Sequence, residues 1–331
     1  MKNKRTIVLK AFFVLSFFLL FFLAMFLGAR DITWEETLSI LTFQGSTDTE
    51  QTLQEIRYPR VIAAILVGAA LSVSGAVMQG LTRNPLADPG LLGLTAGANL
   101  GLAICIAFFP SLSYSWMAVA SFVGAAIGMG FVIGIGAANR GGLSPVKIVL
   151  AGAAVSAFLF ALANGISLAT QTSKNVTMWT AGGLSGTSWS HIQLMAPIIL
   201  LTCIGTLLLS RPLTILSLNE EVAVGLGLRT IYIKMALFLF IIILTGAAVA
   251  LVGNMAFLGL MIPHIVRTLL GPDYRVIIPW SMVVGATFMV VADMVGRTLF
   301  APIETPTVSI IAVIGLPFFL YVVRKGVKSL S

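Results

Sequence analysis

Few side chains in this 331-residue sequence could do chemistry. Asp293 and Arg297 lie four apart in an apolar stretch, so on a helix they share a face and can pair. A carboxylate inside an apolar span is costly, which makes Asp293 either half of such a pair or a proton carrier. If pairing is its role, Asp293→Asn should cost little. His264 follows Pro263 near the end of another apolar run. No second His, Cys or acid shares that span, so a hydrogen-bonded structural role is expected. Cys105 and Cys203 each sit in an apolar run without a Cys or His at ligand spacing, which argues against a disulfide framework or a metal site. The sequence contains no G-x-x-x-x-G-K-[ST] phosphate loop, no H-E-x-x-H and no nucleophile elbow. Nothing in it reads as an enzyme active site, and no residue is assigned as catalytic or metal-binding.

The polar stretch with the clearest local design is Leu216 to Arg229, LSLNEEVAVGLGLR. Asn219 is a good N-cap, and Glu220 and Glu221 fall in the first turn, where the helix dipole favours acids. Val222, Ala223 and Val224 continue the turn, and Gly225 and Gly227 stop it. A short helix is expected, too short and too polar to cross a bilayer.

The elements around these residues are membrane spans. Hydrophobic residues make up 58% of the chain and charged residues 10%, against about 25% charged in a soluble domain. Mean hydropathy is +1.02. Ten apolar runs suit helices that cross a bilayer: 11–29, 58–80, 91–109, 114–138, 146–168, 191–210, 231–251, 254–270, 276–298 and 306–323. The net charge of +8 is a topology signal rather than a nucleic-acid signal, because the basic residues cluster at span ends. With both termini cytoplasmic, all twenty basic residues but Arg30, Arg57, Arg60, Lys174 and Arg297 fall inside. Merging the seventh and eighth runs would break that rule, so ten spans are preferred. The expected fold is an all-α polytopic membrane protein, one domain over residues 1–331, solvated by lipid.

The connections carry further signals. The loop Arg30 to Ile56 is acidic and precedes RYPR, Arg57 to Arg60. In TRNPLADPGLLG, Thr82 to Gly93, Asn84-Pro85 forces a turn, and Asp88-Pro89 reads as an N-cap followed by proline, starting the third span. Gly124-x-x-x-Gly128 and Gly130-x-x-x-Gly134 both read as helix-packing spacings. A short helix is expected in the polar segment Thr170 to Ser190. GAALSVSGAVMQGL, Gly68 to Leu81, resembles GAAVALVGNMAFLGL, Gly246 to Leu260, which would make spans 2–5 and 7–10 an inverted repeat. Arg57, Arg60 and Arg297 sit at outer span ends. Singly each suits a headgroup anchor; together they suggest a basic rim for an acidic protein surface.

Taken together, RYPR, GAVMQGLTRNPLADPGLLG, WTAGGLSGTSW, NEEVAVGLG, FLGLMIPHIVR, ADMVGR and the closing E-x-P…G-x-P-x-F resemble the membrane permease family of bacterial iron–siderophore, haem and vitamin B12 ABC importers (FecCD-like). The resemblance runs over about residues 57–325, beyond the first span at 1–29. It implies a ten-span subunit in the bacterial cytoplasmic membrane that pairs with a second permease subunit. Two ATPase subunits would bind below, carrying the ATP and Mg that this chain does not bind, and an extracytoplasmic substrate-binding protein above. It implies that Arg57, Arg60 and Arg297 grip acidic residues of that binding protein. It further implies a cytoplasmic gate at Asn84 and Leu86 and near Leu143 and Ser144, where GGLSP matches less well. The segment 216–229 becomes a cytoplasmic coupling helix, with Asn219, Glu220, Glu221, Val222, Ala223, Gly225, Leu226 and Gly227 facing the ATPase. A ferric siderophore is the expected cargo, with haem or a corrinoid as alternatives. An ion-coupled transporter using Asp293, or a non-transporting scaffold, are the rivals from other classes.

Overall fold

The computed structural model describes residues 2–27, 53–91, 93–138, 145–181 and 183–328. Every regular element among them is helical, as a backbone shielded from water requires. Thirteen α-helices follow in order: α1 (Lys2–Phe26), α2 (Tyr58–Thr82), α3 (Leu94–Phe108), α4 (Tyr114–Ala138), α5 (Pro145–Ala169), α6 (Ser173–Ala181), α7 (Trp189–Leu208), α8 (Ser210–Leu218), α9 (Glu220–Gly225), α10 (Thr230–Val252), α11 (Leu258–Leu270), α12 (Tyr274–Thr298) and α13 (Thr307–Lys328). A π-turn, Leu53–Arg57, leads into α2, and a 3-10 turn, Pro89–Leu91, precedes α3.

A helix stands in each of the ten expected intervals, and α6 supplies the short helix expected between Thr170 and Ser190. Among the described residues, eight helices are long and apolar enough to cross a membrane: α1, α2, α4, α5, α7, α10, α12 and α13. The other two, α3 and α11, have 15 and 13 residues. At 1.5 Å per residue they reach about 22 and 20 Å, short of a hydrocarbon core of about 30 Å. Hydropathy alone overextends both. The third span begins at Leu94 rather than at Asp88-Pro89, because Gly93 is left-handed (φ 79°) and interrupts the chain after the 3-10 turn. Between α10 and α11, Gly253 (φ 78°) and Phe257 (φ 68°) do the same.

The central helix is α2, buried along almost its whole length. Its neighbours approach through glycine. A Cβ on Gly75 would lie 1.9 Å from the Gly259 carbonyl oxygen of α11, and one on Gly68 would lie 2.3 Å from the Gly285 oxygen of α12. Small residues at such contacts let helix backbones touch. The same device joins α3 to α4, where Gly97 and Gly124 oppose each other and Gly128 meets Gly93. Gly130 and Gly134 do otherwise: no atom of the chain lies within 4 Å of a Cβ built on either. Gly130 is two residues beyond Gly128, about 200° round the helix, and so faces away from α3. The expected second packing pair is therefore not used within this chain.

Chain direction follows from these contacts. One end of α2 carries Arg60 and the other Gln79. Gly75 meets Gly259 and Gln79 meets Arg267, so α11 runs parallel to α2; Gly68 meets Gly285 and Arg60 meets Asp293, so α12 returns antiparallel. At the periphery, α1 lies along α12, with Phe13 and Trp280 rings 6.0 Å apart and Lys10 Nζ 5.8 Å from the Trp280 ring centre. Most of its large apolar side chains remain exposed.

Candidate functional site

Three features gather the polar chemistry of the bundle: an ion cluster at the Arg60 end, a hydrogen-bonded network at the Gln79 end that carries a projecting helix, and a cavity between them.

At the Arg60 end, Asp293 of α12 is 1% exposed and takes two guanidinium groups. Arg60 Nε lies 2.9 Å from Oδ1, and Arg297 Nε lies 3.0 Å from Oδ2. The predicted i,i+4 pair is present, and Arg60 is the partner that sequence spacing could not supply. Arg60 Nη1 also donates to both oxygens of Glu304, at 2.8 and 2.9 Å. Arg297 Nη2 donates to the Ala24 carbonyl. Arg57 donates to the Met25 and Phe26 carbonyls at the end of α1. Arg60 and Arg297 are buried at 5% and 3% exposure. Two of the three arginines expected at the outer rim are thus enclosed against carboxylates, because an unpaired guanidinium in an apolar bundle costs more than a paired one. Arg57 is half-buried.

At the Gln79 end, Gln79 Nε2 donates to the Leu260 carbonyl at 3.1 Å, while its Oε1 accepts from Arg267 Nη2 at 3.1 Å. The same nitrogen of Arg267 donates to the Tyr274 hydroxyl at 2.8 Å. Asp273 caps α12 by accepting from the Arg275 amide. The Arg275 guanidinium beside it, aided by the Thr214 hydroxyl, holds its carboxyl below the usual range, against the opposing pull of burial. Thr214 and the buried Leu213 and Leu216 tie α8 to this network. Arg83, left-handed at the end of α2, donates to the Leu216 carbonyl at 3.2 Å.

Beyond α8 stands α9. The predicted cap forms: Asn219 Oδ1 accepts from the Glu221 amide at 2.9 Å, with Glu220 and Glu221 in the first turn. Termination falls to Gly227 (φ 79°), which allows Leu228 N to reach the Ala223 carbonyl and Gly227 N the Val224 carbonyl, the pattern of a Schellman motif. Gly225 is the last helical residue and needs no special conformation. Ala223 is buried, and Glu220 pairs with Lys234 of α10. Leu218, Val222, Val224 and Leu226 are exposed by half or more. An apolar patch bordered by charge on a projecting, well-tethered helix is the usual mark of a protein contact.

The cavity lies where both short helices begin. It has a volume of about 470 Å³ and is lined by Leu86, Asp88 and Gly90 of the turn before α3, Thr95 of α3, Phe160 of α5, Asn254 to Phe257 before α11, Leu260 of α11 and Phe319 of α13. The Asn84 turn is as expected: Asn84 Oδ1 accepts from the Leu86 amide at 3.0 Å, and Ala87 N donates to the Asn84 carbonyl. Asp88 accepts from the Gly90 amide at 2.7 Å. Burial pushes its carboxyl up to about 6, with that amide pulling the other way. Phe257 holds a left-handed backbone rarely seen in a bulky residue. Its ring meets Phe319 at 6.5 Å, and its Cβ occupies the space a side chain on Gly315 would need. No spacing rule identifies this wall, because its residues come from four helices and two turns. Leu143 and Ser144 lie outside the described residues, as does most of the acidic segment Arg30 to Ile56. His264 packs edge-on against Phe318, and Cys105 and Cys203 are unbridged.

Residues 16–325 match the model of the FecCD transport family. The chain is 44% identical over 316 residues to the iron(3+)-hydroxamate import system permease protein FhuB of Bacillus subtilis, covering 93% of this chain and 81% of that one. It is 38% identical over 299 residues to the Fe(3+)-citrate import system permease protein YfmD of the same organism, covering 90% and 89%. Among solved structures, a metal-chelate type ABC transporter in an inward-facing conformation superposes with a TM-score of 0.81 at 26% identity, over 98% of this chain and 100% of the other.

Proposed function

This chain belongs to the FecCD transport family, and from that premise we propose that it is the multi-pass permease subunit of an ABC importer. It translocates an iron(III)–siderophore complex across the cytoplasmic membrane by alternating access. The observation that carries the reading is α9: capped at Asn219, closed at Gly227, tethered through Glu220 to α10, and exposing Val222 and Val224 between the exposed Leu218 and Leu226. Such a lever suits a groove on a separate ATPase subunit, which supplies ATP and Mg that this chain has no phosphate loop to hold. Its motion would pass through α8 and Arg83 to the Asn84–Leu86 turn, which borders the cavity.

The same reading makes the Gln79 end cytoplasmic, with both chain termini, and the Arg60 end extracytoplasmic. Ten membrane segments in one domain then form an inverted repeat, supported by the matching places of α3 and α11. These two short helices leave the cavity in opposite directions, the pattern of interrupted transporter helices. A second permease subunit completes the path. An extracytoplasmic binding protein docks at the Arg60 end, where an acidic partner must compete with Asp293 and Glu304 for Arg60 and Arg297 and meets Arg57 directly. A ferric hydroxamate is the favoured cargo because the chain is 44% identical to an iron(3+)-hydroxamate import permease; haem or a corrinoid is the alternative within the class.

Reconstitution tests this. Proteoliposomes holding the permease pair, ATPase subunits and binding protein should accumulate a ferric hydroxamate only with ATP. Uptake driven by an ion gradient without ATPase subunits would replace the importer by a secondary transporter.

A further inference from the structure

The 470 Å³ cavity has a neighbour. A second chamber of about 90 Å³ lies toward α6 and is lined by Thr95, Asn99, Phe160, Trp179, Thr180, Val249, Gly253 and Asn254. Thr95, Phe160 and Asn254 line both. The chambers differ in character. The larger is walled mainly by Leu86, Met255, Phe257, Leu260 and Phe319. The smaller carries two carboxamides and two threonine hydroxyls, and the Asn99 Oδ1 is buried without a hydrogen-bond partner. A polar chamber of this size has room for about three waters at roughly 30 Å³ each.

We propose that Phe160, closing against Thr95 and Asn254, is a mid-membrane gate that separates the apolar chamber from the polar one. The two lips are fixed. Asn254 N donates to the Thr180 carbonyl at 3.3 Å, and Gly253 beside it is pressed against Thr180, with a built Cβ only 2.7 Å from that oxygen. Thr95 is set by the first turn of α3, where Gly97 N holds the Gly93 carbonyl at 2.8 Å. Phe160 is the moving element of the gate. It is half-buried on α5, where it packs against the core, and Ala157 and Ala163 lie three residues to either side of it on the same helix face. An aromatic ring between an apolar and a hydrated chamber blocks both polar and apolar traffic until it rotates, as hydrophobic constrictions do.

The test uses thiol access. The chain has two cysteines, both buried, so Cys105→Ser and Cys203→Ser give a blank background. Leu260→Cys then reports the larger chamber and Asn99→Cys the smaller. The protein is assembled with its partner subunits in vesicles that present the α9 face, and a membrane-impermeant maleimide is added. Leu260→Cys should react and Asn99→Cys should not. Adding Phe160→Ala should speed labelling at Asn99→Cys at least tenfold, while Phe160→Trp should leave it blocked. Equal rates at the two positions with Phe160 intact, or no gain with Phe160→Ala in folded protein, overturns the gate. If Phe160→Ala does not fold, Phe160→Val takes its place with the same reading. Flux through the gate rests on the importer reading, and a second arm keeps the two apart. Phe160→Ala vesicles should leak a ferric trihydroxamate without ATP. The labelling pattern without any such leak would refute the cargo route and leave the gate standing.

Discussion

Arg60 on α2 and Asp293 on α12 meet at 2.9 Å at one end of the bundle, both almost wholly removed from solvent. Arg297 holds the other oxygen of the same carboxylate at 3.0 Å. A carboxylate serving two enclosed cations is a structural keystone, and its loss strands both. Asp293→Asn should therefore destabilise the protein by about 3–5 kcal/mol, the range for breaking a buried pair from one side. The sequence-based expectation of a small cost assumed one intrahelical partner. Thermal unfolding in detergent decides. Replacing Asp293, Arg60 and Arg297 together by apolar residues of similar volume should recover most of the loss, and a dead triple variant with intact fold would point back to a proton carrier.

The glycines of α2 and α4 should respond oppositely to a single methyl group. Gly75→Ala drives a Cβ into the backbone of α11 at Gly259, where nothing can yield without separating the helices. Folded yield should collapse. Gly130→Ala meets no atom of the chain and should gain up to about 1 kcal/mol of helix propensity. If Gly130→Ala instead weakens association of the permease pair, measured by mass photometry in detergent, that face of α4 is the subunit contact.

Of the two glycines that end α9, only Gly227 is left-handed. Gly227→Ala should strain the turn by about 1–2 kcal/mol, whereas Gly225→Ala should be tolerated. Asn219→Ala removes the cap at a cost of about 1 kcal/mol. The expected outcome is reduced ATP-driven transport for Gly227→Ala and Asn219→Ala with unchanged membrane insertion. Full transport by both would remove α9 from the coupling route.

Asp88 gives the protein a pH signature. Burial pushes its carboxyl from the usual carboxylate range up to about 6 in the folded protein. The folded state thus holds a proton that the unfolded state has released, and this contribution is fully present below the unfolded value and lost as pH rises through the folded one. The thermal midpoint should fall as pH rises from about 4 to 6, and Asp88→Asn should flatten that slope. A slope unchanged by the substitution would assign it to another group.

Phe257 and Gly315 form a matched pair. A Cβ on Gly315 would sit 2.5 Å from the Phe257 Cβ, so Gly315→Ala should displace α13 from the cavity wall. Transport should drop well before stability does, because α13 is peripheral and largely exposed. A Phe257→Gly/Gly315→Ala double variant should restore the packing, read by transport rate.

The membrane class, the helix positions and α9 with its cap were legible because each rests on local chemistry: apolar run length, an Asn before two acids, and glycines after an apolar turn. What the sequence left hidden was of three kinds. Spans three and eight were drawn a few residues too long because the sequence stays mostly apolar through Leu91 to Gly93 and Met255 to Phe257, although Gly93 and Phe257 are left-handed and the helices start only after them. The burial of Arg60 was not legible because its partners, Asp293 and Glu304, are more than 230 residues away in sequence. The cavity was not legible at all, since its walls are joined only in three dimensions.

The contacts of Gly68 and Gly75 also bear on how this molecule can move. Where side chains interdigitate, helices slide by exchanging rotamers; where backbone lies on backbone, there is no rotamer to exchange. The joint between α2, α11 and α12 is therefore either whole or broken, and the three helices travel as one stiff frame. Compliance falls to the elements outside that frame, and α5 and α13, which supply Phe160 and Phe319 to the cavity, are among them.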